Sequence, residues 1–437
     1  MTEQMNMPKL RFDEFETRWN PVKLGDITSY LKGFAFKSND YLDSGGLDSR
    51  LIRVSDLSSD SVKVDNKKVF LPTELVDRSI RYKLKNGDVL ITTVGSKPEL
   101  RESAVGRAIY INEAHGVLNQ NLLIMRPNNE NTSKFIFSQL NTPRYIDHVT
   151  NIQRGNANQS NITVADLFEY RVSTTTLPEQ QKIASFLSKV DEKIALLSEK
   201  EDKLTEYKRG VMQQLFNSKW QEQDGQLTFM PPTLRFKAGD GSEFPDWEER
   251  EFDDIFNFST GKNIKQNEAS PEFDTPCVRY GELYHMYGEV ITTVVNSTNL
   301  EHSELTFSNG NEILLPSAGE DPLDIGSASA LTLSDVAIGR TINVLRPKGS
   351  IDYCPVYVSF YINEKLRKKI STLARGASIS NVYNSDLRGL SLPLPSIKEQ
   401  YVIKSFLLKI EDKLKLTNSE LEKAKEWKRG LLQQMFV

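Results

Sequence analysis

The sequence predicts an α+β protein made of two tandem, related α+β domains, separated by two long helices that pair as an antiparallel coiled coil. Three observations predict it. The stretch Leu177 to Phe216 recurs without a gap as Ile397 to Phe436, so that Leu177 and Ile397, Phe186 and Phe406, Tyr207 and Trp427, and Phe216 and Phe436 are each 220 positions apart. Both copies carry apolar residues at steps of three and four, the spacing of a helix seam. Shorter anchors repeat around them, so the duplicated unit is a whole half-chain and not a helix alone.

Each half opens on a Pro-x-Leu-Arg-Phe lead-in, Pro8 to Phe12 and Pro232 to Phe236, followed by Trp19 with Leu24 to Ile27 and Trp247 with Phe252 to Ile255. Asn86 to Leu90, reaching Gly95, is echoed by Gly310 to Leu314, reaching Gly319, and Arg126-Pro127 returns as Arg346-Pro347. Arg154-Gly155 with Asp166-Leu167 returns as Arg375-Gly376 with Asp386-Leu387. Apolar runs bounded by Gly, Pro and Asn read as strands at 88–94, 108–111, 122–125, 313–315 and 341–345, with helical patches at 133–140 and 356–373. A twisted, mostly antiparallel sheet is expected in each domain.

The long helices start at Thr176-x-x-Glu179 and Ser396-x-x-Glu399, the reciprocal capping pattern in which a hydroxyl and a carboxylate satisfy first-turn amides. The seam is Ile183, Leu187, Val190, Ile194, Leu197, Leu204, Val211 and Leu215, matched by Ile403, Leu407, Ile410, Leu414, Leu421, Ala424, Leu431 and Met435. A helix of that length spans roughly 55 Å at 1.5 Å per residue. Neither copy buries such a stripe alone, so each is expected to cover the other. Gly210 and Gly430 each cost about 1 kcal/mol relative to Ala inside a helix, and their repetition suggests close packing or a bend.

The domain boundaries that follow are 1–175 for the first domain, 176–216 for the first helix, 217–245 for a linker rich in Gly and Pro, 246–393 for the second domain and 394–437 for the second helix. The linker's length lets the second domain begin at the far end of the first helix, which places the domains at opposite ends of the pair about a pseudo-twofold axis.

The 437 residues suit two or three domains, and a hydrophobic content of 38% supports real cores. No apolar run approaches the roughly 18 residues of a membrane span, and the first residues carry no apolar signal segment, so a soluble cytoplasmic protein is expected. Two cysteines, Cys277 and Cys354, make no disulfide framework and no zinc spacing. The net charge of −4 argues against an evenly basic surface. Residues 217–260, however, hold ten Asp/Glu against four Lys/Arg, so basic faces remain possible elsewhere.

No catalytic constellation is legible. There is no GxxxxGK[ST] phosphate loop, and Pro231-Pro232 lacks the Asp/Asn and aromatic of an amino-methyltransferase tetrad. Pro245-Asp246 is not followed by a spaced (D/E)xK, there is no GxSxG elbow, and His115, His148, His285 and His302 lie in unlike contexts. The loops instead offer side chains suited to nucleic acid. Arg154 to Asn161 combines amides, which bond an adenine edge in two places, with an arginine that takes guanine or phosphate. Its counterpart runs Arg375 to Asn381. Lys32 to Lys37 interleaves cations with aromatics, and Gly261 to Lys265 keeps the cations.

With these features the sequence resembles the specificity subunits of Type I restriction-modification systems. The resemblance rests on LPEQQKI…YKRGVMQQLF and IKEQYVI…WKRGLLQQMF, the PxLRF…W lead-ins, GDVLITTVGS and the Asn-Gln rich loop, and it covers nearly the whole chain. It implies two target-recognition domains, each reading one half of a bipartite duplex DNA sequence, with the helices as spacer. It implies no catalytic site in this chain, two modification subunits that bind S-adenosylmethionine and methylate adenine, and restriction subunits that bring ATP and Mg to the full complex. A spacer helix lengthened by one turn, about 6 Å, is then expected to lengthen the recognised DNA spacer by one or two base pairs.

Within this reading the candidate DNA-binding residues are Lys32, Lys37, Lys97, Arg154, Asn156, Asn158 and Gln159 in the first domain and Lys262, Lys265, Arg340, Arg375, Ser378 and Asn381 in the second. Lys208, Arg209, Gln213, Lys428, Arg429 and Gln433 are the candidates for docking partner subunits. The second domain departs from the first, because Gly310 to Gly319 is looser than its partner and Arg375 to Ser378 lacks the Asn-Gln character. The competing class is a structural adaptor with protein-binding domains, and an autonomous enzyme comes third.

Overall fold

A computed structural model describes residues 7–58, 61–98, 104–156, 159–223, 226–349, 351–376 and 378–436 of the chain. It divides into two compact units, one of residues 1–198 with 418–437 and the other of residues 199–417. The division cuts both long helices, Leu177–Leu215 and Ile397–Met435, each of which runs uninterrupted. Each unit therefore holds the start of one long helix and the end of the other, the connectivity of an antiparallel pair.

In the first unit a four-stranded antiparallel sheet runs in the spatial order Thr28–Lys32, Leu122–Pro127, Val89–Thr92, Ala108–Tyr110. Its central strands are apolar at successive positions because both faces are covered. Val89, Ile91, Leu123 and Met125 point into the main core with Trp19, Phe135, Ile183, Leu187 and Val190. Leu90, Ile109, Leu122 and Ile124 point into a second cluster with Ile52 and Leu118. The main core is completed by Leu431, Leu432, Met435 and Phe436 from the end of the second long helix. Phe436 meets the rings of Trp19 and Phe135 at centroid distances of 6.1 and 5.5 Å.

The second unit repeats the plan with a five-stranded sheet ordered Phe256–Thr260, Ile342–Pro347, Glu312–Pro316, Ser329–Leu331, Val290–Ile291. All its pairs are antiparallel except the last. Ile313, Leu315 and Leu345 face a core with Trp247, Tyr357, Ile403, Leu407 and Ile410. Here Val211, Met212, Leu215 and Phe216, from the end of the first long helix, complete it. These are the residues 220 positions before Leu431, Leu432, Met435 and Phe436, so the same plug is used twice, each time on the other half's domain.

The repeated anchors turn out to be contacts. Asp88 is paired with Arg126 through two bonds of 2.6 and 2.8 Å, and Glu312 with Arg346 at 3.2 Å. Glu179, fully buried, receives Arg11 at 2.6 and 2.9 Å and the Trp19 indole at 3.2 Å. Glu399 receives Arg235 at 3.0 Å and Trp247 at 3.1 Å. Beside them, Gln180 accepts from the Thr132 amide at 3.0 Å and Gln400 from the Cys354 amide at 2.7 Å. Thr132 and Cys354 are the N-caps of helices Ser133–Gln139 and Pro355–Tyr361. The Glu-Gln pair thus fastens a lead-in segment with one side chain and a domain helix with the next.

This corrects the capping expectation. The described partners of the Glu179 carboxylate are the side chains of Arg11, Trp19 and Thr175, because a guanidinium binds a carboxylate more strongly than a neutral amide does. At the second start the Glu399 amide does donate to the Ser396 hydroxyl at 3.4 Å, while the Glu399 carboxylate goes to Arg235 and Trp247. Part of the expected linker is also ordered, since Lys219–Gln223 and Gln226–Met230 form a hairpin whose Phe229 packs on Trp247. No helix among the described residues is long and apolar enough to cross a membrane.

Candidate nucleic-acid interface

At one end of the first unit's sheet, three backbone segments converge. Lys32 ends its strand opposite Leu123, and Thr92 ends the neighbouring strand opposite Leu122. Between them lies the turn Asn119 to Asn121, reached by the chain just past Lys32. The Gly33 amide donates to the Leu122 carbonyl at 2.9 Å and the Phe34 amide to Leu118 at 3.0 Å. A Cβ on Gly33 would stand 2.1 Å from the Asn119 carbonyl oxygen, so only glycine permits this approach. The turn is also held from the other side, because the amide and hydroxyl of Thr93 both donate to the Asn121 carbonyl, at 2.9 and 3.0 Å. The Thr93 carbonyl accepts from Ile162 at 3.1 Å.

The third segment is a hairpin. Val94–Gly95 pairs with Gln159–Asn161, which pairs with Arg154–Asn156. Gly155, paired with Ser160 inside the hairpin, has φ +125°, and a Cβ there would lie 2.3 Å from the Gln159 carbonyl oxygen. The arrangement brings Lys32, Lys97, Arg154, Asn156 and Gln159 onto adjoining segments. Lys32, Lys97, Arg154 and Gln159 are exposed. Lys37 is exposed farther along, at the N-cap of the short turn Ser38–Asp40. Asn158 lies outside the described residues.

The second unit builds the same arrangement with different side chains. The Gly261 amide donates to Ile342 at 3.1 Å and the Lys262 amide to Ile338 at 2.9 Å. A Cβ on Gly261 would lie 2.0 Å from the Gly339 carbonyl oxygen. The turn Gly339 to Thr341 is held by the Ser317 amide on the Thr341 carbonyl at 2.9 Å, and the Ser317 carbonyl accepts from Val382 at 3.0 Å. Gly319 pairs with Ser380 and Ala318 with Asn381, while Arg375 and Asn381 exchange amide-to-carbonyl bonds of 3.0 and 2.8 Å. Lys262, Arg340, Arg375 and Ser378 are exposed around this site, and Lys265 stands farther out at the N-cap of the turn Gln266–Glu268.

One charged contact is common to both. The Arg154 guanidinium donates through Nη2 to Asp166 at 2.8 Å with its side chain 67% exposed, and Arg375 does the same to Asp386 at 2.8 Å with 74% exposed. Each arginine is held at one corner, which limits its rotamers and leaves its other donors to solvent. A fork-shaped, pre-oriented guanidinium is suited to two-point contact with phosphate or guanine. The backbone around the second site is strained. Asn263, Ile264 and Thr341 have φ of 46°, 57° and 68°, a region that β-branched residues rarely adopt, and such strain clusters at functional sites.

The sequence reading misses two residues here. Asn161 is the positional equivalent of Asn381, and Gln120 is that of Arg340, each pair 220 positions apart as in the helices. That offset is the signal that finds them. A duplicated ion pair is missed as well, Arg53 with Asp56 at 2.9 Å and Arg279 with Glu282 at 2.8 Å.

The residues expected to dock partners divide into two groups. Lys208 is bonded to Glu289 at 2.9 Å and to Glu411. Burial opposes its charge, and the two carboxylates outweigh that, so its pKa is raised above the ordinary lysine value. Lys428 is paired with Asp191 at 2.7 Å. The two pairs are the same contact made twice, since 191 and 411, like 208 and 428, are 220 apart, and in each the lysine ties one long helix to the other. Arg209, Gln213, Arg429 and Gln433 are exposed. Gly210 and Gly430 correct an expectation, because a Cβ at either would meet open space and the helix does not break there.

Comparison with known proteins agrees with this architecture. The model of the Type I restriction modification DNA specificity domain matches residues 16–206 and again 245–426. Two Methanocaldococcus jannaschii proteins described as type I restriction enzyme specificity subunits are similar over most of their length. MjaX is 24% identical, covering 98% of this chain and 95% of its own, and MjaVIII is 20% identical, covering 95% and 91%. The crystal structure of a Type-I restriction-modification system S subunit from M. genitalium superposes with a TM-score of 0.59 at 16% identity, over 99% of both chains. A chain from a structure of type I R-M complex assembly and conformational transition gives 0.52 at 15% identity, over 95% and 97%. The chain thus belongs to the Type I restriction-modification specificity family and carries two of its DNA specificity domains in tandem.

Proposed function

We propose that this chain is the sequence-reading subunit of a Type I restriction-modification complex, in which each domain reads one half of a bipartite target on double-stranded DNA. The observation that carries the proposal is the duplicated arrangement of a glycine-apposed turn, an arginine held by a carboxylate and an Asn-bearing hairpin, built once in each unit on a shared scaffold with unlike loops. Phosphate contacts from Lys32, Lys97, Lys262 and the two held arginines would set register, and base-edge contacts would set sequence. Lys37, Lys265, Asn156, Asn158, Gln159, Ser378 and Asn381 complete the proposed DNA surface.

Methyl transfer and cleavage then belong to other subunits. Modification subunits would bring S-adenosylmethionine and restriction subunits ATP and Mg, and this chain would dock them through exposed residues of the repeated helix ends, Arg209 and Gln213 with Arg429 and Gln433. Lys208 and Lys428 serve that role indirectly by fixing the helix pair. The test is to map methylated motifs in cells that express the chain with its modification subunits, and in matched cells without the chain. A bipartite motif that appears only with the chain supports the proposal. DNA retention that falls with rising salt supports the DNA reading, whereas salt-insensitive capture of a protein partner without DNA supports the adaptor reading instead.

A further inference from the structure

Residues that the two domains share cannot tell two different half-sites apart. Arg154 with Arg375, Asn161 with Asn381, and the apposed Gly33 with Gly261 are the same on both sides, so they suit what both half-sites have in common, the sugar-phosphate backbone. Discrimination has to come from equivalent positions occupied by different side chains on equally rigid backbone. Gln120 and Arg340 meet that description.

Each sits at the middle of the turn between two bonded flanks. In the first unit Asn119 donates its amide to Ile52 at 3.0 Å and Asn121 offers its carbonyl to Thr93. In the second, Gly339 donates to Val278 at 2.8 Å, Arg340 itself donates its amide to Asn263 at 3.0 Å, and Thr341 offers its carbonyl to Ser317. The backbone is thus pinned on both sides of the variable side chain, the condition for accurate presentation of a reading group. Both side chains are also unused by the fold. Gln120 Oε1 is a buried acceptor that lacks a hydrogen-bond partner. Arg340 is exposed, and among the described residues no hydrogen bond or ion pair engages its guanidinium. An unsatisfied buried amide oxygen costs free energy in the unliganded chain, and rotation of this half-buried side chain out onto a base edge would relieve that cost.

We infer that Gln120 and Arg340 are the paired specificity-determining residues of the two domains, Gln120 reading an adenine in one half-site and Arg340 a guanine in the other. The chemistry follows from the donor and acceptor pattern of the major groove. A Gln amide matches adenine N6 and N7, and an Arg fork matches guanine O6 and N7, each worth about 5- to 150-fold in discrimination. The inference rests on the DNA-reading role proposed above.

The test uses the full chain assembled with its modification subunits and a randomised duplex library, read by sequencing of the bound and methylated fractions. Gln120→Ala is expected to abolish the preference for adenine at one position of one half-site and leave the other half-site intact. Arg340→Ala is expected to do the same for one guanine of the other half-site. Arg340→Lys keeps the charge without the fork, so it is expected to lose the guanine preference while overall affinity falls less than in Arg340→Ala. Confirmation requires a loss confined to one base pair. Unchanged motifs, or a uniform weakening at every position, would overturn the inference, and a variant that binds too weakly to select is selected again at low salt, where the same outcomes apply. A wild-type complex that selects no motif at all would instead overturn the DNA-reading role itself.

Discussion

Glu179 lends itself to a quantitative prediction because its carboxylate is buried and fastens three sequence segments at once. It takes two bonds from Arg11, at 2.6 and 2.9 Å, one from the Trp19 indole at 3.2 Å and one from Thr175. Arg11 is itself only 9% exposed at its side chain. Removing one partner of a buried ion pair costs about 3 to 5 kcal/mol, since the remaining charge is left without compensation. Glu179→Ala is therefore expected to lower the unfolding temperature of the first unit by about 6 to 20 °C, at roughly 2 to 4 °C per kcal/mol for a unit of this size. The pH dependence has a definite sign. Burial works against ionisation of Glu179, but the bonds from Arg11, Thr175 and Trp19 and the charge of Arg11 outweigh it, so its pKa lies below the ordinary carboxylate value. The contribution is complete above the unfolded value near 4.3 and is lost as pH falls through the lower folded value. Glu179→Gln should lack that acid-side loss. Hydrogen exchange resolved by peptide, following 8–20 and 177–190 against peptides of the second unit, separates the two units. A first unit whose protection changes by less than 0.5 kcal/mol, a magnitude typical of surface substitutions, would refute the reasoning.

Three further outcomes follow from the same contacts. Lys208→Met should destabilise the second unit by about 1 to 2 kcal/mol, because Lys208 serves two carboxylates and is 19% exposed at its side chain, whereas Lys428→Met, with one partly exposed partner, should cost under about 1 kcal/mol; denaturant melts of the two variants check the ranking. Gly155→Ala and Gly376→Ala should lower the melting temperature of the chain and weaken its retention on target DNA, because a Cβ would strike the opposite carbonyl oxygen at 2.3 and 2.0 Å in a backbone of positive φ; thermal melts and DNA retention check both. Cys277 should resist a maleimide at pH 8 in the native chain and react on unfolding, since burial first, and Glu282 second, push its thiol up to about 12.

What the sequence discloses depends on whether a signal is local or paired. The long helices were legible because their period and their duplication are both written in one dimension, and the observed limits Leu177–Leu215 and Ile397–Met435 follow the apolar seam closely. The strand runs around Leu90, Leu122, Ile313 and Val344 were legible for the same reason. The role of Glu179 is not legible in the sequence, because a carboxylate in the first turn satisfies a capping pattern whether or not a guanidinium from a lead-in segment reaches it first. An Asp-Gly pair flanked by Trp220 and Leu227 is a strong hairpin signal after Asn217, but its Gly and Pro neighbours make the whole stretch resemble a tether. Gln120 is not legible in the sequence, because a polar turn residue has no significance until the neighbouring strands bring Gly33 against Asn119.

The exchanged helix ends bear on how the polypeptide is made. Trp19 and Phe135 await Phe436, so translation has to pass Phe436 before the earliest-formed module can shut its apolar cleft. The later module has no such delay, since Val211 to Phe216 have already emerged when its own sheet appears. Nascent chains should accordingly acquire protease resistance in reverse order, with residues 199–417 secure before residues 7–198, and the waiting cleft is where a chaperone would bind.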